Sequence, residues 1–230
     1  MHILLTNDDG IDAPGLAALE AAISIFARVT VVAPDRGYSG CGHTVTNHHP
    51  IQVEQVGQRR YKVFGTPADC SRLGLSKIAP DVDMVLSGVN EGGNLGVDIY
   101  MSGTVAAIRE AVWLGKPGIA FSQYVRTERA RDWEKSAAMA RRVFSLLKTR
   151  SIPANCFWNV NFPDVDAGPN DLDMIDSVLE PRHLPVAYGH DGGNSFVFRS
   201  DYRNRPRIDG SDVDICFGGA IAISTVTANP

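Results

Sequence analysis

The sequence predicts an α/β protein: an open, mostly parallel sheet flanked by helices, followed by an extended β-rich C-terminal arm. Three observations carry this prediction. Short runs of aliphatic and β-branched residues recur from Ile3 to Val160, each too short to be a buried helix. Between them, apolar residues repeat at three- and four-residue steps, the period of a helix with one buried face. The runs end in Gly, Ser, Asn and Asp, residues that favour turns at strand ends.

The first run, Ile3-Leu4-Leu5-Thr6, leads into Asn7-Asp8-Asp9-Gly10. Open parallel sheets bind ligands at the carboxyl ends of their strands, so Asp8 and Asp9 sit where such a fold places its chemistry. Adjacent carboxylates repel each other, and a cation relieves the repulsion. Capping of the next turn is the other role open to them. Pro14 then marks a helix start, and Leu16, Leu19, Ile23 and Phe26 share one helical face. Val29 to Ala33 is the second strand. Strand, helix and strand within 33 residues make a βαβ unit, hence a parallel pair.

A glycine-rich loop, Pro34 to His43, follows and presents Ser39 at the same sheet edge as Asp8. Its glycines lack the spacing of a dinucleotide-binding turn. His43, His48 and His49 lack metal-ligand spacing and read as solvated loop histidines. Ile51–Val56 and Tyr61–Phe64 form a hairpin around Gly57. Thr66 caps a helix that begins at Pro67 and runs to about Ile78. Met84-Val85-Leu86 is a strand that gives way to a loop, Ser87 to Asn94. Ser102-Gly103-Thr104 opens a helix with Val105, Ile108 and Val112 on one face. Free amides and the helix dipole there attract an anion, although simple capping fits as well. Gly118–Ser122 and Cys156–Val160 are further strands around a long helix from Asp132 to Lys148.

These elements define a catalytic domain over residues 1–163. Residues 164–230 are rich in Asp, Gly, Pro and Asn, and few of them can bury a core alone. They read as an arm that packs on the main domain or on a neighbouring subunit. Arg199, Arg203, Arg205 and Arg207 read as a solvated basic face.

The chain has 230 residues, 44% of them hydrophobic, and a formal net charge of −4. With no basic stripe, DNA is not an expected partner. No run is long enough to cross a bilayer, so no membrane partner is expected. The N-terminal run lacks a preceding basic segment and is soon interrupted by Asp8 and Asp9, so it does not read as a signal peptide. Cys41, Cys70, Cys156 and Cys216 form no paired motif and fit reduced thiols in a cytoplasmic protein.

Three strand-end loops thus offer oxygen ligands: Asp8 and Asp9, then Ser39, then Asn90 with Asn94. Such a set suits Mg²⁺ or Mn²⁺ better than Zn²⁺. A hard cation beside the Ser102-Gly103-Thr104 helix end is an arrangement for hydrolysing phosphate esters.

The stretches ILLTNDDGIDAPG, VVAPDRGYSGCGHTVT, FGTPADCSRLGL and SGVNEGGNLGVDIYMSGTVAAIREA resemble the SurE family of stationary-phase survival proteins, which are metal-dependent nucleotidases. A weaker match continues through NVNFP. The resemblance implies a Rossmann-like domain and one divalent metal ion per subunit, held by Asp8, Asp9, Ser39 and Asn90. It places the phosphate on Asn94, Ser102, Gly103 and Thr104. It implies phosphate release from nucleoside 5′- and 3′-monophosphates, shortening of polyphosphate in some members, and a C-terminal arm exchanged within a homodimer that can pair into a tetramer. Met101 departs from the family pattern, as does the region from Asp164 to Asp212.

The expected reaction is attack of a metal-activated water on the phosphoryl group, with attack by Asp8 or Asp9 as the rival route. A phosphatase of the haloacid-dehalogenase type would need Asp-x-Asp rather than adjacent acids. A response-regulator receiver would need an acceptor Asp where this chain has Ser87-Gly88. An inactive relative kept for an interaction role is a further reading, disfavoured by the intact ligand set.

Overall fold

The computed structural model describes residues 1–126 and 130–229; residues 127–129 and Pro230, the last residue of the expected arm, lie outside it. Nine strands form the main sheet in the order β3-β4-β2-β1-β5-β6-β7-β11-β8. They are β1 His2–Thr6, β2 Arg28–Pro34, β3 Val53–Gly57, β4 Arg60–Val63, β5 Met84–Glu91, β6 Gly118–Gln123, β7 Cys156–Phe162, β8 Met174–Ser177 and β11 Ile221–Thr227. From β4 through β7 every neighbouring pair is parallel. β3 joins β4 antiparallel, and β11 joins β7 antiparallel. The mostly parallel α/β architecture is therefore the one the periodicity predicts.

Alternation within β1 assigns the two faces. Ile3 and Leu5 join one core, with Leu16, Leu19 and Ile23 of α1 (Pro14–Ile23) and Ala140, Val143 and Phe144 of α4 (Trp133–Leu147). Leu4 joins the other, with Cys70 of α2 (Pro67–Leu73) and Val105, Ile108 and Ala111 of α3 (Gly103–Trp113). A strand buried on both faces reads as an unbroken apolar run, which is what Ile3-Leu4-Leu5 is. Burial of each such Leu or Ile side chain contributes about 1.5–3 kcal/mol.

Two boundaries differ from expectation. The helix from Pro67 keeps regular geometry only to Leu73 and widens into a turn of π-helix over Gly74–Ile78. β5 does not stop at Leu86 but runs to Glu91, with its register against β6 shifting between Ser87 and Asn90. Gly88, at φ +125°, makes the irregularity possible: a Cβ there would lie 2.2 Å from the Phe121 carbonyl oxygen. Ser-Gly in the sequence thus signals an irregularity inside a strand rather than its end.

The segment after residue 163 behaves in two ways. β8 and β11 extend the main sheet, while β9 (Tyr188–His190) and β10 (Phe196–Phe198) form a separate antiparallel hairpin with exposed Tyr188, Phe196 and Phe198. A short helix, α5 (Asp212–Phe217), capped by Ser211, leads into β11. Among the described residues no helix is long and apolar enough to cross a membrane.

Candidate active site

β1 lies inside the sheet, between β2 and β5, and its carboxyl end carries Asn7, Asp8 and Asp9. Asp8 is 4% exposed. Its Oδ1 accepts a hydrogen bond from the Thr104 hydroxyl. A Cβ on Gly103 would come within 2.8 Å of the Asp8 Cβ and 3.0 Å of its Oδ2, so only glycine allows helix α3 to start this close. The amides of Gly103 and Thr104 help to stabilise the Asp8 carboxylate, but burial outweighs them and raises its pKa. Asp9 is half-buried, and burial, then the Asp8 carboxylate, pushes its pKa up to about 6. Its Oδ2 accepts a 3.3 Å hydrogen bond from the Glu91 amide at the end of β5.

Three further segments close around this pair. The loop after β2 is tied down by the Tyr38 amide, 2.7 Å from the Asp8 carbonyl oxygen, and by the Gly42 amide, 3.0 Å from that of Met101. Ser39 lies between these ties with its side chain exposed. Asn90 is half-buried, and its Nδ2 donates to the Gly92 carbonyl at 2.7 Å. Ser102 caps α3 by accepting from the Val105 amide, which leaves its own hydroxyl proton for another acceptor.

Asn94 is buried in a separate amide network. Its Nδ2 donates to Ser122 Oγ, and its carbonyl accepts from Asn159 and Asn161. The structure thus brings Asp8, Asp9, Gly103 and Thr104 into direct contact or adjacency. Ser39 and Asn90 are tied to the pair through their neighbours, by the Tyr38 amide on the Asp8 carbonyl and the Glu91 amide on the Asp9 carboxylate, and Asn94 makes its own bonds further along the same edge. Thr104, expected on the phosphate, spends its hydroxyl on Asp8.

Sequence reasoning overlooked three neighbours. Glu91 places its carboxylate beside Asp9, and its negative charge adds to the rise in the Asp9 pKa. Asn7 donates to the Gly10 carbonyl at 2.8 Å, while its Oδ1 is buried without a partner. The Cys41 sulfur sits where a Cβ on Gly103 would come within 2.9 Å. The adjacency of Asn7 and Glu91 to the motif residues was the one signal available.

Two readings need correction. His43 is not a solvated loop histidine: its Nε2 lies 2.7 Å from Glu110 Oε2 and its ring stacks on Trp113. Arg205 is not on a solvated face either. Its side chain is buried in an ion pair with Asp98, and its guanidinium lies over the Tyr202 ring. Both partners are distant in sequence, so local pattern carried no trace of them.

The family model described as "Survival protein SurE" matches residues 3–176. A curated relative from Synechocystis is 48% identical over 97% of this chain and 98% of its own length. The protein named 5′-nucleotidase SurE from Geobacter sulfurreducens is 39% identical over 97% of this chain and 87% of its own length. The crystal structure of the SurE protein from Aquifex aeolicus superposes with a TM-score of 0.88 at 32% identity, covering 100% of this chain and 94% of that one. On the family model over residues 3–176, these identities and the shared fold, the chain belongs to the SurE family.

Proposed function

We propose that this chain is a divalent-metal-dependent phosphomonoesterase that hydrolyses nucleoside 5′-monophosphates, with 3′-monophosphates and polyphosphate as further substrates. Family membership and the 5′-nucleotidase name of relatives support the substrate class. The observation that carries the site is the packing of Asp8 against the start of α3, with Asp9 next to it held by the Glu91 amide. Among the described residues, no Lys, Arg or His side chain pairs with either carboxylate. A buried and a half-buried acid with no paired cation, next in sequence to Asn7 with its orphaned Oδ1, fit a hard divalent ion. No three His, Cys, Asp or Glu side chains among the described residues gather as a metal cluster, so the fit rests on mixed carboxylate, hydroxyl and amide oxygens.

In this reading Asp8, Asp9, Ser39 and Asn90 would hold Mg²⁺ or Mn²⁺. When bound, the ion supplies Lewis acidity at the phosphoryl group and lowers the pKa of water. Ser102 offers its free hydroxyl proton to a phosphoryl oxygen, and the amides of Gly103 and Thr104 present the positive end of α3. Asn94 is held by Ser122, Asn159 and Asn161 as a preorganised polar group on the same edge. The enclosure of Asp8 by Thr104 and Gly103 supports water rather than Asp8 as the nucleophile. In single turnover in ¹⁸O-water, label should appear in phosphate and not in an aspartate.

Phosphate release from 5′- and 3′-nucleoside monophosphates and polyphosphate, measured with chelator, Mg²⁺ or Mn²⁺, tests the proposal. Metal-dependent release from the monophosphates supports it. No release from any of them by a folded, metal-binding protein overturns it. The same arm would mediate association into a homodimer or tetramer, a reading supported by the exposed Tyr188, Phe196 and Phe198. Sedimentation of the full chain as a monomer would overturn that part.

A further inference from the structure

Of the four side chains proposed around the metal, Ser39 alone belongs to an exposed residue. Its placement therefore depends on how its loop is anchored. On the near side, the Tyr38 amide holds the Asp8 carbonyl. On the far side stand the Gly42 amide, on Met101, and the His43 side chain.

The surroundings of His43 are specific. Its Nε2 meets Glu110 Oε2 at 2.7 Å, and the Glu110 side chain is only 4% exposed. The other Glu110 oxygen accepts from Arg72 Nε at 2.6 Å. The His43 ring lies 4.7 Å from that of Trp113, at an interplanar angle of 19°. Trp113 is itself fixed by a 2.7 Å hydrogen bond from Nε1 to Asn229 Oδ1. Glu110 and Trp113 both belong to α3, the helix whose first residue abuts Asp8. His43 thus joins the Ser39 loop to the element that also packs on Asp8. Among the described residues its Nδ1 is buried without a partner, so the link to Glu110 is the one hydrogen bond the ring makes there.

We infer that His43 is a positioning residue that, through its hydrogen bond to Glu110 and its stacking on Trp113, clamps the 39–43 loop onto α3 and fixes the Ser39 hydroxyl at the metal site. This inference rests on the function proposed above. Arg72 provides the contrast, because it reaches the same Glu110 from α2, and among the described residues its side chain makes no hydrogen bond or ion pair to the loop. A cluster that merely held the scaffold together would respond alike to loss of either partner.

The test is direct Mn²⁺ binding, read from the free-ion electron paramagnetic resonance signal, together with steady-state kinetics. His43→Phe keeps a ring on Trp113 and removes the donor. His43→Gln restores a donor toward Glu110. Arg72→Ala strips Glu110 of its other partner. His43→Phe is expected to weaken Mn²⁺ binding about tenfold, the usual scale for a group that orients a ligand, and to lower kcat with little change in KM. His43→Gln should recover part of the loss, and Arg72→Ala should stay close to wild type. Wild-type Mn²⁺ affinity in His43→Phe, or an equal loss in Arg72→Ala, would overturn the inference. A wild-type chain that binds no Mn²⁺ would overturn the metal site itself, which separates that failure from this one.

Discussion

Two sets of buried and half-buried carboxylates lie within this one chain, and they are treated in opposite ways. Asp8 and Asp9 share the end of β1, Glu91 stands nearby, and among the described residues no cationic side chain pairs with either. Asp98, Glu180 and Asp212 lie around the loop from Leu95 to Asp98, and each has partners. Asp98 takes Arg205 and the Tyr202 hydroxyl. Glu180 takes Arg182 and the Ile208 amide. Asp212 accepts the amides of Gly96, Glu180 and Val213. Asp98 and Asp212 bind the C-terminal segment to the body of the protein, Glu180 ties that segment to itself, and the charges of all three are answered by the chain. The first set leaves part of its charge to be answered from outside. A buried acid without a cationic partner costs stability, so its persistence marks a site rather than a scaffold.

The largest test of this contrast is Asp9→Asn. It should lower metal-dependent phosphate release about a thousandfold or more, the scale of losing a principal electrostatic group. The metal-free protein should be no less stable, since a costly charge is gone. Calorimetry beside the activity assay checks both, and a metal-free variant that melts well below wild type would break the contrast. Next comes Arg205→Ala, which leaves Asp98 without its cation. A loss of about 3 kcal/mol of folding stability is expected in urea unfolding, the scale for one partner of a buried pair.

A pH series sharpens the comparison further. The folded-state pKa of Asp9 lies above its unfolded value, so folding favours the protonated form. Stability from that proton is fully present below pH 4 and is lost as pH rises through about 6, and Asp8 acts in the same direction. Metal-free protein should lose on the order of 2 kcal/mol across that window. Saturating Mg²⁺ should flatten the trend, and a metal-free profile that rises with pH would contradict it. The smallest effect belongs to the surface pair of Arg150 and Asp176, 42% and 63% exposed, which meet at 2.6 Å. Asp176→Ala should cost less than about 1 kcal/mol and leave activity unchanged.

Legibility in the sequence followed the range of each interaction. β1 and β2, the hairpin of β3 and β4, the Thr66 cap with Pro67, and the Ser102 cap of α3 are set by neighbours a few residues apart, and all could be read. The acid pair could be read because adjacent carboxylates at a strand end are themselves a local pattern. What escaped was set at long range. His43 finds Glu110 67 positions away, and Arg205 finds Asp98 at 107. Glu91 hid for a different reason: Gly88 disguised the continuation of β5 that carries it to Asp9.

The position of β1 carries one more consequence. All five of its residues are buried, and it has a parallel neighbour on either side. Amides in such a strand exchange with solvent only when the whole domain opens. The acids ride on that strand, so the lifetime of the binding geometry is the lifetime of the native state. An ion captured there would stabilise the entire domain by mass action, and deuterium uptake along His2 to Thr6 would slow in proportion to occupancy.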